Sequence, residues 1–223
     1  MTIETKAQTS FKETAYTYIK NQIINGQLAP GDIIDEKKYI AELNISRTPI
    51  REALNSLAEE DLVIIMSRRG IVVSHVLIKD ILDIYETRKM LEPGIITMIA
   101  GRTDSAQLEQ FKEEFSKTDM ISSTSTGRDL DSEFHLYLAE CTKNKFLIKT
   151  EELLMNQSQR IRVLSSSSDK NRDIEARKEH IQIIEYLLAG NSNAAQQICR
   201  EHLEKSIKRY QKIFSNSSMF SLQ

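Results

Sequence analysis

Along most of this chain, apolar residues recur at the three-and-four spacing of an amphipathic helix; in one short region they run together as in a strand. Phe11, Ala15, Tyr18, Ile19 and Ile23 make the first helical stripe. Asn25-Gly26 ends it, because glycine takes the left-handed cap conformation at little cost. Leu28-Ala29-Pro30-Gly31 reads as a turn. Short helices are predicted over residues 35–43 and 49–60, joined by a connection so tight that they form a helix-turn-helix. The β-branched runs at 62–65 and 70–73 flank Ser67-Arg68-Arg69, which predicts a hairpin with a charged tip. From residue 80 the pattern is wholly helical, with segments predicted over 80–101, 104–119, 127–142, 145–164, 170–189 and 192–214.

The expected fold is therefore mainly α. A winged helix-turn-helix with a small β-hairpin wing comes first, and an all-α antiparallel bundle of about six helices follows. The boundaries drawn are a tail over 1–10, a DNA-binding domain over 11–77 and a helical domain over 78–223, with residues 74–79 as the linker. Seven glycines and three prolines suit helices better than a turn-rich β fold. No apolar run approaches the roughly 20 residues that span a bilayer, and the polar N-terminus lacks a signal-peptide core. A cytoplasmic protein without a membrane partner is expected. Cys141 and Cys199 fall in apolar helical stripes and are expected to be reduced core residues.

Charge changes the picture only locally. The formal total is −2, and the first 77 residues carry nine Lys/Arg against ten Asp/Glu, so no broad basic face draws nucleic acid. Arg47 and Arg51 instead stand four apart, on one face of the first turns of a helix, after Ser46 as a cap and beside Pro49. A guanidinium fork there suits guanine edges or phosphates in a major groove. Arg68 and Arg69 sit where a wing would touch the neighbouring groove or backbone, though a solvated basic turn is the alternative.

Three of the four histidines lie in the helical half. Asp131 and His135 are four apart and share a helix face. His180 lies 11 residues before Asn191 and His202 lies 11 after it, so an antiparallel hairpin turning at Gly190-Asn191 sets them at one height. All four neighbour apolar positions and are expected to face the interior. There a carboxylate and three imidazoles are costly without partners. A divalent cation (zinc, nickel, iron or manganese) would satisfy them together. Hydrogen-bonded core histidines remain the alternative on the residues alone. Three neutral imidazoles and one carboxylate would leave such an ion with a charge of about +1, open to an anion. Arg88, and Arg162 before Arg160, are candidates to clamp a carboxylate or phosphate oxygen, with a salt bridge from Arg88 to Glu92 as the competing role.

The first half resembles the winged-helix domain of GntR-family transcription regulators. The likeness runs through Gly26-x-Leu28-x-Pro30-Gly31, then Ile45-Ser46-Arg47-Thr48-Pro49-Ile50-Arg51-Glu52-Ala53-Leu54, to Gly70-x-Val72. The second half resembles the helical FCD ligand-binding domain of the FadR subfamily, carried by Arg88-x-x-Leu91-Glu92, Asp131-x-x-Phe134-His135, Glu179-His180 and Glu201-His202. The resemblance implies a homodimeric regulator that responds to a small organic acid, a carboxylate effector, and acts as a repressor by expectation on a near-palindromic double-stranded DNA operator. It implies DNA contacts at Ser46, Arg47, Thr48, Arg51 and Gly70, and metal ligands at Asp131, His135, His180 and His202. A metal sensor, in which the ion is itself the signal, is the alternative. A metal-dependent hydrolase or lyase is a remote one, because no general base stands apart from the four ligands. No enzyme activity is expected.

Overall fold

The computed structural model describes residues 10–67, 70–117, 127–165 and 170–215. These fall into two compact units, divided between His75 and Val76. The tail, the wing-tip residues Arg68 and Arg69, and most of the Ser/Thr-rich connectors expected at 118–127 and 165–169 lie outside the described residues.

In the first unit, α1 (Phe11–Ile24) starts where Ser10 accepts a hydrogen bond from the Glu13 N–H. It buries Ala15, Ile19 and Ile23 in one core with Ile50, Ala53, Leu54 and Leu57 of α3 (Arg47–Glu59). Between them, α2 (Glu36–Leu43) ends at Asn44, whose φ of 52° gives the left-handed turn that redirects the chain into α3. Ser46 occupies the N-cap of α3, but its hydroxyl makes no capping hydrogen bond. The helix begins at Arg47, two residues before the predicted start, and Pro49 sits in its first turn, where a missing N–H costs nothing.

The wing strands β2 (Val63–Met66) and β3 (Gly70–Val73) pair antiparallel, with Ile64 opposite Val72. A third strand, β1 (Ile33–Ile34), pairs with the other edge of β3, so the order is β1-β3-β2. Two residues are too short for an alternating pattern to reveal; what places them is tertiary. The Gly31 N–H donates to the Val73 carbonyl at 2.9 Å, and the Val73 N–H to the Asp32 carbonyl at 2.9 Å. Gly31 has φ +90°, which a side chain rarely tolerates, and His75 lies 3.5 Å from where its Cβ would be.

Among the described residues, the second unit has the expected six helices: α4 (Ile78–Met98), α5 (Ser105–Lys117), α6 (Leu130–Cys141), α7 (Lys145–Ser165), α8 (Lys170–Leu188) and α9 (Ser192–Ser215). The α4 start precedes the predicted one because the Asp80 carboxylate accepts from the Leu77 N–H and closes the first turn. The α6 start follows the predicted one because Asp129 is the cap, accepting from the Ser132 N–H at 2.9 Å. Helix α4 runs through Pro93-Gly94, residues that normally interrupt a helix, with Pro93 buried. It packs along α9, α9 along α8, α8 along α5, and α6 along α7. The core joins Phe111 and Phe115 of α5, Phe134 of α6, Ile183 and Ile184 of α8, and Cys199 and Leu203 of α9. Both cysteines are free thiols, Cys199 buried and Cys141 half-buried.

Candidate functional site

Two groups of polar side chains stand out, one in each unit. On α3, Ser46, Arg47, Thr48 and Arg51 are all exposed, and the side chains of Arg47 and Arg51 are 65% and 56% accessible. Ile50, Ala53, Leu54 and Leu57 hold the opposite face in the core, so the stripe Arg47, Arg51 and (one turn on) Asn55 is presented outward. Gly70 opens β3 at φ +81° beside the wing tip. Both arginines are tied to one acidic residue: Glu36 of α2 accepts from Arg47 Nε at 3.0 Å and from Arg51 Nε at 3.1 Å. Burial alone would raise the Glu36 carboxyl, but the hydrogen bonds from Arg51 and Arg47 bring it below its ordinary value. The sequence reading did not pair Glu36 with them, because 11 and 15 residues of separation and a helix break hide the contact.

In the second unit, Asp131, His135, His180 and His202 come together, each offering a ligand atom within 4.8 Å of the others, and all four are buried. His180 and His202 face each other across the α8–α9 hairpin with ring centroids 4.5 Å apart, as equal distance from the turn requires. His135 Nε2 is 3.1 Å from His180 Nε2, and His180 Nε2 is 3.4 Å from Asp131 Oδ1. Phe115 stacks on the His180 ring at 4.7 Å and closes that side.

The surrounding groups set the proton positions. Glu92 Oε2 lies 3.0 Å from His135 Nδ1, and Glu179 Oε2 lies 2.8 Å from His202 Nδ1. A carboxylate on Nδ1 keeps the proton there and leaves Nε2 as a lone-pair donor aimed at the cluster. Burial, and then the neighbouring His202, hold His180 well below the usual histidine range; burial also lowers His202, so both rings are neutral. Burial alone would raise Asp131, but the Arg162 guanidinium, with Nη1 2.7 Å from Oδ2, keeps it ionised. The result is an anionic oxygen crowded against the neutral His180 and His202 rings, with His180 Nδ1 left without a hydrogen-bond partner. That donor set fits a divalent cation and is unfavourable as a self-contained hydrogen-bond network.

Beside it lies a narrow cavity of about 20 Å³, bordered by Asp131 and His202 and by four arginines: Arg88, Arg162, Arg172 and Arg209. Arg88 donates to Glu92 at 2.5 Å and to Ser158 at 3.2 Å, while its Nη2 is buried without a partner. Arg162 makes two hydrogen bonds to Asp129, at 2.7 and 2.8 Å. Arg172 donates to Glu179 at 2.7 Å and Arg209 to Asp173 at 2.6 Å. Arg160, the lesser alternative, is buried and pushed down to about 10 by that burial, and it does not line the cavity. The sequence reading missed Arg172 and Arg209. Their signal was there: Arg172 lies seven before Glu179 and Arg209 seven after His202, two turns along the same faces.

One buried acid has no hydrogen bond at either oxygen. Glu151 of α7 can bring an oxygen within 4.8 Å of ligand atoms on Glu92 and His135. Burial, then the Glu92 carboxylate, raises it well above the ordinary carboxylate range. A folded-state pKa above the unfolded one means the folded chain binds the extra proton, so stability is full below the unfolded pKa and falls as pH rises through the folded one. Glu151→Gln should remove this slope. Urea midpoints of the two proteins should diverge in favour of the variant as pH is raised from 5 to 8, and parallel midpoints would show that Glu151 is not protonated in the fold.

Residues 11–73 match the bacterial regulatory proteins of the gntR family, and residues 83–205 match the FCD domain. The chain is 27% identical over 191 residues to the HTH-type transcriptional regulator YdhC of Bacillus subtilis (strain 168), covering 84% of this chain and 85% of that protein. It is 29% identical over 181 residues to the gluconate operon transcriptional repressor of the same organism, covering 74% and 72%. Among solved structures, E. coli McbR/YncC superposes with a TM-score of 0.77 at 17% identity, over 92% of this chain and 99% of that one, a likeness of fold. These relatives are regulators rather than enzymes, and no described helix is long and apolar enough to cross a membrane. With a gntR-type winged helix-turn-helix followed by an FCD domain, the chain belongs to the GntR family of DNA-binding transcription regulators.

Proposed function

We propose that this regulator is a repressor whose operator affinity is set by a small organic acid bound beside a divalent ion in the FCD domain. The observation that carries the reading is the buried Asp131/His135/His180/His202 cluster bordering a cavity walled by four arginines. Asp131 and the three imidazoles would hold the ion, with Glu92 and Glu179 fixing the orientation of His135 and His202. When bound, the ion supplies a positive charge that attracts a carboxylate. Arg88, a lining residue whose Nη2 is buried without a partner, would take one oxygen of that acid. The cavity holds little more than a water molecule, so an acid of more than a few heavy atoms must widen it, and that widening is the conformational change available to a signal. One relative is named as the repressor of a gluconate operon, which ties a similar chain to organic-acid genes and supports this reading.

On the DNA side, Ser46, Arg47, Thr48 and Arg51 would read the major groove, with Gly70 and the tip residues Arg68 and Arg69 at the wing. As a homodimer, the protein would place two such helices about one helical turn apart on a near-palindromic operator. A ligand that binds one dimer arrangement better than another shifts the DNA-competent population by that difference alone. A thermal-shift screen of small carboxylates tests the reading. A ligand of the folded state raises the melting temperature, and here it should do so for metal-loaded protein only. Equal shifts before and after chelation would overturn the metal-centred pocket.

A further inference from the structure

We infer that Glu36 is a specificity-determining residue for DNA, holding both recognition arginines by their Nε atoms so that base edges are favoured over phosphates. The inference rests on the reading of α3 as the DNA-reading helix. Glu36 is the first residue of α2, and its side chain is 18% exposed against 65% for Arg47 and 56% for Arg51. One carboxylate therefore reaches out from a sheltered position to two exposed guanidiniums. The contacts are Arg47 Nε to Oε2 at 3.0 Å, and Arg51 Nε to Oε1 at 3.1 Å and to Oε2 at 3.2 Å.

The atoms engaged matter. A guanidinium carries five N–H donors in a fixed fork, and each contact to Glu36 uses only the Nε–H. The end-on pair, Nη1 and Nη2, is left for the two acceptors on a guanine edge. Glu36 thus removes side-chain freedom that both arginines would otherwise lose on binding. It also sets a fixed negative charge among the groups that would meet the sugar–phosphate backbone. Arginines that leave Glu36 to pair with phosphates abandon a carboxylate beside the duplex; arginines that read bases end-on keep it. Random-sequence binding is almost entirely phosphate binding, so it bears the larger penalty. The same logic accounts for a DNA-binding unit with nine Lys/Arg against ten Asp/Glu, which relies on placement rather than on net charge.

The test uses the whole 223-residue chain and two probes: a duplex enriched from a random library by the wild-type chain, and a scrambled duplex of the same length. Glu36→Gln should bind the scrambled duplex roughly tenfold more tightly at low salt. The slope of log affinity against log salt should steepen by about one unit per chain, as expected for one added phosphate contact. The enriched duplex should gain little, so the ratio of the two affinities falls about tenfold, and Glu36→Asp should restore it. Equal changes on both duplexes, weakening on both, or failure of Glu36→Asp to restore the ratio would overturn the inference, because a purely structural role for Glu36 predicts those. Arg51→Ala is run alongside. Undiminished binding of the enriched duplex by that variant would overturn the α3 reading and this inference with it. Lost binding there, with Glu36→Gln unchanged from wild type, would overturn the role of Glu36 alone.

Discussion

Arg51→Ala is expected to abolish selective operator binding while leaving the fold and metal content of the protein intact. A bidentate arginine–guanine contact discriminates by about 1–3 kcal/mol. A dimer loses two at once, about 2–6 kcal/mol, or roughly 30-fold to 10⁴-fold in affinity. Arg51 is exposed, and its recorded partner is Glu36 rather than any core residue, so the substitution leaves no cavity and its stability cost should be small. Fluorescence anisotropy against the enriched duplex measures the loss, and a melting curve checks the fold. A variant within twofold of wild type on that duplex would mean that α3 does not read the bases.

His180→Ala should have the largest effect in the other unit. His180 is fully buried, and its Nε2 lies within 3.4 Å of both His135 Nε2 and Asp131 Oδ1, so its loss opens the ligand set at the centre. Bound metal should fall from about one equivalent per chain to a small fraction, measured by elemental analysis of the purified proteins. Stability should follow. An ion present at 100 times its dissociation constant contributes about 2.7 kcal/mol. For a chain of this size that is roughly 5–10 °C in melting temperature. Removing a buried ring also destabilises by the hole it leaves, and the chelator separates the two effects. Wild type should lose stability on chelation, whereas His180→Ala should already be insensitive to it. Equal metal content in the two proteins would refute the site.

How much of this could be read beforehand follows from the physics of each feature. Helices α4 to α9 were legible because each is long enough for the 3.6-residue stripe to repeat, and the β-branched wing is a local signal. The third strand was not, since two residues fix no period and their place is set by backbone bonds from Asp32 and Gly31 to Val73. Helix starts shifted by a few residues where a side chain decided them, as with Asp80 at α4 and Asp129 at α6. The convergence of His180 and His202 could be foreseen from equal spacing about a turn. The carboxylates that orient His135 and His202 could not: Glu92 comes from another helix, and Glu179 lies next to His180 in sequence but serves His202 across the hairpin. The arginines show the same limit. Arg88 and Arg162 could be named as candidate anion clamps; the sequence could not show that Asp129, Asp131 and Ser132 engage Arg162, or that Arg88 binds Glu92 and Ser158 and keeps Nη2 buried without a partner.

One divalent ion is proposed to sit among Asp131, His135, His180 and His202. X-ray absorption at the edge of the metal that copurifies with the protein would see that ion itself. Three imidazole nitrogens and carboxylate or water oxygen are expected around it, with the nitrogens at about 2.0–2.1 Å for zinc. Protein that holds no metal even after reconstitution, or a shell of oxygens alone, would contradict it.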